Sequence, residues 1–275
     1  MKIDILTLFP EMFRGPFDTS IIKRALENNL LSVNLVNIRD FSRNKHHTVD
    51  DTPYGGGAGM VMAADPICGA AEWIKDRQGS IDRFVYLTPA GKLLTQDLVR
   101  ELAAGEHLVV LCGHYEGVDQ RVRETLVTDE VSIGDYVLTG GELPAMVLVD
   151  AVARLIPGVL GEASSAEEES FSDGLLEYPH YTRPRSYSGL EVPEVLLNGH
   201  HEQIRLWRRR QSLLKTLEQR PELLAGAPLT DEDKIILKKI VLELEQLGLP
   251  EEIDKKKRRR MKEGRQETGD RRQED

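Results

Sequence analysis

Cysteine is nearly absent: Cys68 and Cys112 are the only two, far apart and without metal-ligand spacing. That excludes a disulfide framework and argues against a zinc site, leaving two core thiols suited to a reducing compartment. No apolar run approaches the roughly 20 residues that span a bilayer. The opening stretch MKIDILTLFP has neither the basic region nor the cleavage site of a signal peptide. A soluble, cytoplasmic protein with no membrane partner is expected. Positive charge is also in deficit, with a formal net charge of −10, which weighs mildly against a nucleic-acid partner. The basic residues are gathered, however, in IRLWRRRQSLLK (204–215) and KKKRRRMK (255–262), so a local basic surface on an acidic protein is allowed.

The 275 residues are enough for one large domain and a smaller one. KIDILTLF reads as a buried strand, 13–29 as a helix ending at an Asn pair, and LSVNLVNIR as a second strand. The polar stretch from DFSRNKHH to YGGGAGMVM has no helical period and too many glycines for an element; a loop of that length is expected to be functional. A helix over 64–76, the strand RFVYLTP, an amphipathic helix, the strand HLVVLCG, a further helix, a short strand near DEVSIGDYVL and the helix LPAMVLVDAVARLI follow. This alternation predicts an α/β domain with a mainly parallel sheet over 1–161. Small, polar and acidic residues then suggest a flexible linker over 162–173. Only helical patterns are expected from about Leu190 onward, in a small helical domain over 174–250. The charged tail, 251–275, has almost no apolar residues and is expected to be disordered.

Three glycine-bearing segments, TPAGK, CGHYEG and SIGDYVLTGGE, fall at strand carboxyl ends, where open α/β sheets bind ligands. None matches the dinucleotide or phosphate-loop pattern, and GGGAGM (55–60) follows the second strand rather than the first. The pair Gly140 and Gly141 has no lysine of the kind a phosphate requires. Loops offering backbone N–H and C=O groups without a lysine suit a neutral heterocycle such as adenine. Each glycine taken alone also reads as a plain turn residue.

The segments DDTPYGGGAGMVM, LTPAGK, LCGHYEGVDQRV, SIGDYVLTGGELPAMVLVDAVARLIPGVLG and GLLEYPHYTRP resemble, in order and spacing, the bacterial tRNA (guanine-N1)-methyltransferase family. The resemblance runs from Met1 to about Leu249. It implies an α/β domain of the knotted methyltransferase type, with a deep trefoil knot, followed by a small helical domain. The implied cofactor is S-adenosylmethionine, held by Pro89, Gly113, Ile133, Gly134, Asp135, Tyr136, Val137, Leu138, Gly140 and Gly141. The implied partners are tRNA and a second copy of the chain, in a homodimer whose active sites are shared between subunits. The implied reaction methylates N1 of guanosine 37 when guanosine 36 precedes it.

In that family an Arg on the knot helix and an Asp in the linker act on guanine. Arg154 matches the Arg; alone it also reads as a helix-end Arg favoured by the helix dipole. The linker departs from the pattern, with Glu169 before Ser170 and Phe171 where the family typically shows Asp. Three outcomes are open: Glu169 is the base in a shifted pose, Asp173 substitutes, or activity is reduced. Glu169 is favoured, because a linker that orders on RNA can absorb one methylene. Glu116 is a candidate for the guanine edge or a magnesium ion, which the family uses. His46 and His47 have no partner at ligand spacing and read as exposed. For RNA, Tyr181 and Arg183 combine stacking with phosphate contact. Arg205, Arg208 and Arg209 are expected to lie free opposite the apolar stripe Ile204, Trp207, Leu214 and Leu217. A noncatalytic RNA-binding module and an ordinary nucleotide-dependent enzyme are the competing readings.

Overall fold

A strand apolar at every position, such as HLVVLC, satisfies its side chains only between two covered faces, the usual setting of parallel sheets. In a computed structural model, which describes residues 1–160 and 169–246, this holds. Strands β1 (Lys2–Thr7), β2 (Ser32–Asn37), β5 (Arg83–Leu93), β6 (His107–Cys112) and β7 (Asp129–Ser132) form one sheet in the order β2-β1-β6-β5-β7, with every pair parallel. All six residues of β6 are buried. Leu108, Val110 and Cys112 face a core shared with helices α1 (Ser20–Glu27), α3 (Gln96–Ala103) and α5 (Glu142–Ala153). Val109 and Leu111 face the core beneath α2 (Ala64–Gln78) and α4 (Gln120–Thr125). The mixed α/β architecture with a central parallel sheet is thus the expected one.

Several boundaries differ from expectation, each for a local reason. The first helix starts at Ser20 rather than Phe13, because Gly15 (φ +91°) and Pro16 interrupt the chain; a 3-10 turn, Pro10–Phe13, takes its place. Its end is as read: Asn28 caps it and Asn29 is left-handed at φ +56°. The glycine-rich stretch is not wholly irregular, since β3 (Asp50–Asp51) pairs antiparallel with β4 (Val61–Met62). β5 does not stop at Pro89 but runs to Leu93, with its register against β7 shifting between Leu87 and Lys92. A Cβ at Gly91 would lie 2.4 Å from the Glu130 carbonyl carbon, so glycine permits that approach.

The chain divides into two compact units, Met1–Ala166 and Glu167–Asp275. In the second, the expectation of purely helical structure from about Leu190 is corrected. β8 (Ser186–Tyr187) and β9 (Leu190–Glu191) form a hairpin whose two turn residues, Ser188 (φ +53°) and Gly189 (φ +81°), are both left-handed, as tight hairpins require. Helices α6 (His201–Gln219) and α7 (Asp231–Gln246) follow. They enclose a small core of Leu175, Leu213 and Ile240. Of the stretch read as a linker, 162–168 lies outside the described residues, as does the charged tail. Within 169–173, the Phe171 N–H donates to the Leu175 carbonyl (2.8 Å), and Asp173 pairs with Arg209.

Candidate active site

At the carboxyl ends of β5, β6 and β7 a cavity of about 280 Å³ opens. Its walls come from the β5 bulge (Leu87, Thr88, Pro89), the loop after β6 (Gly113–Gly117) and the segment joining β7 to α5 (Ile133, Gly134 and Tyr136–Gly141). Of the ten residues expected to hold a cofactor, Pro89, Gly113, Ile133, Gly134, Tyr136, Val137, Leu138, Gly140 and Gly141 line this cavity. Asp135 is exposed and is not among the lining residues. Glu116 stands at the rim, its N–H donating to the Met60 carbonyl (3.0 Å) and its carboxylate filling the space beside Gly59.

The glycines here are steric necessities. A Cβ on Gly141 would lie 2.6 Å from the Cys112 Cα and 2.8 Å from the Gly113 nitrogen, both backbone atoms. The Gly141 N–H donates to the Gly113 carbonyl at 2.8 Å, which seats the β7–α5 segment on the end of β6. Gly134 adopts φ +150°, and a Cβ there would meet the Tyr136 ring at 2.4 Å. The result is a cradle of backbone groups and aromatic walls without a lysine. That donor set fits an adenosyl group and not a polyphosphate. Burial raises the Tyr86 hydroxyl above its ordinary value, so it stays protonated on the cavity wall.

One part of the site escaped the sequence reading. Glu142, the first residue of α5, is 1% exposed and accepts a hydrogen bond from the Thr7 hydroxyl (2.8 Å). Its other oxygen lies 3.7 Å from His114 Nε2, and the His114 ring lies 4.9 Å from that of Phe9. This buried carboxylate ties the end of β1, the loop after β6 and the start of α5 together. Burial, with Glu142 adding to it, pushes the Cys112 thiol well up. The available signal was a Glu at a helix start directly after a Gly pair. Arg154 is the half-buried C-cap of α5, its N–H donating to the Asp150 carbonyl at 3.2 Å. Among the described residues no three His, Cys, Asp or Glu side chains are gathered to hold a metal.

The second unit holds the other expected site residues. Glu169 is half-buried, and its carbonyl accepts the Ser172 N–H (3.1 Å). Tyr181 and Arg183 are exposed, with the Tyr181 ring 6.2 Å from that of Trp207. The expectation that the α6 arginines lie free is corrected. Arg205 pairs with Glu202 (2.8 Å) and Glu232 (3.0 Å). Arg209 grips Asp233 (2.6 Å) and Asp173, so Asp173 is already committed as well. Arg208 lies over the Tyr178 ring at 4.8 Å. The Arg205 pairs are half-exposed and solvent-screened, so they hold that guanidinium weakly.

Comparison with known proteins follows the same lines. A family model described as tRNA (Guanine-1)-methyltransferase TrmD matches residues 1–226. A tRNA (guanine-N(1)-)-methyltransferase of Desulforamulus reducens is 65% identical over 250 residues, covering 90% of this chain and 97% of its own. One of Pelotomaculum thermopropionicum is 66% identical over 250 residues, covering 90% and 100%. The crystal structure of a tRNA (m1G37) methyltransferase from Aquifex aeolicus superposes with a TM-score of 0.67 at 38% identity, covering 82% of this chain and 95% of that one.

Proposed function

Because the chain belongs to the tRNA (guanine-1)-methyltransferase family, we propose that it transfers a methyl group from S-adenosylmethionine to N1 of guanosine 37 in tRNA, when guanosine 36 precedes it. The observation that carries this reading is the glycine-lined cavity, bounded by nine of the ten residues expected to hold the cofactor. When bound there, S-adenosylmethionine supplies an electrophilic methyl group. The backbone of Gly113 and of the Ile133–Gly141 segment holds and orients its adenosyl part.

Guanine N1 is protonated at neutral pH and is a poor nucleophile, so a base has to remove its proton. Glu169 takes that role, and Arg154 offsets the negative charge that builds on guanine O6. Glu116 faces the guanine edge and any magnesium ion that accompanies it. Tyr181, Arg183, Arg205 and Arg208 contact the RNA. The trefoil knot is part of the same reading. So is a homodimer with shared active sites, supported by Phe9, Met12, Val137, Leu143 and Val147, large apolar residues that the first unit leaves exposed. A cytoplasmic setting goes with tRNA as the substrate; among the described residues no helix is long and apolar enough to cross a membrane.

The test is methyl transfer from labelled S-adenosylmethionine to a transcript with guanosines at 36 and 37, comparing the native chain with Glu169→Gln and Arg154→Ala. Transfer to N1 that collapses in both variants supports the assignment. Full activity of Glu169→Gln removes Glu169 as the base. Glu169 in place of the usual Asp favours one second reading, a noncatalytic RNA-binding protein on the same fold. Cofactor and tRNA binding without transfer would decide for it.

A further inference from the structure

We propose that the turn 43–48, which follows β2, is a phosphate-contacting surface for the backbone of the RNA substrate, separate from the cofactor cavity. The inference rests on tRNA being the substrate and adds a surface that reading does not contain.

Position comes first. All five strands of the main sheet are parallel, so the carboxyl end of β2 lies on the same side as the ends of β5, β6 and β7, where the cavity opens. β2 stands two strands from β6, or roughly 10 Å at the usual strand spacing. A nucleotide seated at the cavity therefore has neighbours within reach of this turn.

Charge comes second. On a chain of net charge −10, residues 39–48 include Arg39, Arg43 and Lys45 against the single acid Asp40. Arg43, Lys45, His46 and His47 are all exposed. Arg43 makes only a loose pair with Asp65, at 3.4 Å, and its side chain stays 83% exposed. Among the described residues neither Arg39 nor Lys45 is in an ion pair, whereas Arg205 and Arg209 of α6 are held by carboxylates. Asp50 and Asp51 on β3 mark where the basic stretch ends.

Shape comes third. The Asn44 carboxamide oxygen accepts the N–H groups of His46 (3.2 Å) and Thr48 (2.8 Å), and its amide donates to the Thr48 carbonyl (3.3 Å). The Ser42 hydroxyl donates to the same carbonyl at 2.6 Å. His47, left-handed at φ +50°, donates its N–H to the Asn44 carbonyl (3.1 Å). The N–H groups of His46, His47 and Thr48 and the Thr48 carbonyl are held within the turn, mostly by the Asn44 and Ser42 side chains, while the Lys45 and His46 side chains, and Arg43 beyond its loose pair with Asp65, face solvent on a fixed frame. A basic surface ordered in advance loses little entropy on meeting phosphates.

The experiment compares the native chain with Arg43→Ser/Lys45→Ser and Arg43→Glu/Lys45→Glu, changes confined to exposed side chains. Measured are tRNA affinity between 50 and 300 mM salt, KM for tRNA, kcat at saturating tRNA, and S-adenosylmethionine affinity by calorimetry. Expected for the serine pair is a roughly tenfold weaker tRNA Kd and KM near 0.15 M salt. The slope of log K against log salt should flatten by about two, one for each phosphate that the variant no longer neutralises. Expected for the glutamate pair is a larger loss, with kcat and cofactor affinity unchanged in both. An unchanged Kd and salt slope overturns the proposal while leaving the methyltransferase reading intact. A native chain that neither binds nor methylates tRNA removes the parent reading, and this one with it.

Discussion

Asp233 carries a quantitative prediction about the second unit. It is 1% exposed at the start of α7, and its Oδ2 accepts the Thr230 N–H (2.9 Å). Its own N–H donates to the Thr230 hydroxyl (3.2 Å), forming a reciprocal cap. Arg209 clasps the carboxylate with Nε at 2.6 Å and Nη2 at 2.8 Å. The Arg209 hydrogen bonds, helped by Thr230 and opposed by burial, lower the carboxyl from 3.8 to about 2. A group depressed on folding stabilises the folded state fully above its unfolded value, near 4, and loses that contribution as the pH falls through about 2. The depression corresponds to about 2 kcal/mol. Around a core that, among the described residues, has Leu175, Leu213 and Ile240 fully buried and other hydrophobics partly buried against them, that is a substantial share of the unit's stability. Asp233→Asn keeps the shape, removes the charge and leaves Arg209 with Asp173 alone, so a loss of about 2–4 kcal/mol is expected at pH 7. Urea unfolding followed by Trp207 fluorescence in a Trp73→Phe background reads it. The gap between native and variant midpoints should close between pH 4 and pH 2. Equal midpoints at pH 7, or a gap that persists at pH 2, would refute the reasoning.

Gly141→Ala drives a Cβ against the backbone of Cys112 and Gly113. It should cost about 1–3 kcal/mol in thermal unfolding and weaken S-adenosylmethionine binding by calorimetry at least tenfold. Gly69→Ala, inside α2 with its nearest new neighbour at an ordinary 3.6 Å, should stabilise by up to about 1 kcal/mol and leave cofactor binding unchanged. Glu142→Ala leaves the buried Thr7 hydroxyl proton without an acceptor, though its oxygen keeps the Phe9 N–H, and should cost about 1–3 kcal/mol, with Glu142→Gln recovering part of it in the same melt. Burial raises both thiols, Cys112 the more, so disulfide-exchange labelling of the native chain at pH 7 should be slow. Cys68, the half-buried one, should react first.

How far the sequence revealed this structure depended on how far apart the interacting residues lie. A strand covered on both faces writes its burial into consecutive apolar residues, so β1, β5 and β6 were legible locally, as was the end of α1 at its Asn pair. The interruption before α1 is also local, in Gly15 and Pro16. β5's continuation through TPAGK was not written there, because the bulge depends on Gly91 passing the Glu130 backbone of another strand. The same holds for the site. Its glycine segments stood out as segments, yet the strut from Glu142 to Thr7 joins residues 135 positions apart and leaves no local pattern. Charge follows this logic most clearly. The sign of the α6 face was plain, and Glu202 beside Arg205 is local, but three of the carboxylates that occupy it are distant: Glu232 and Asp233 belong to the next helix, 27 and 24 residues from the arginines they bind, and Asp173 precedes α6. A basic residue is available to RNA only if its acidic partners are few or loosely held, and those partners are set by tertiary structure. By that criterion the proposed turn 43–48, where Lys45 is in no ion pair among the described residues and Arg43 holds Asp65 loosely at 3.4 Å, offers freer charge to a phosphate than the richer basic helix.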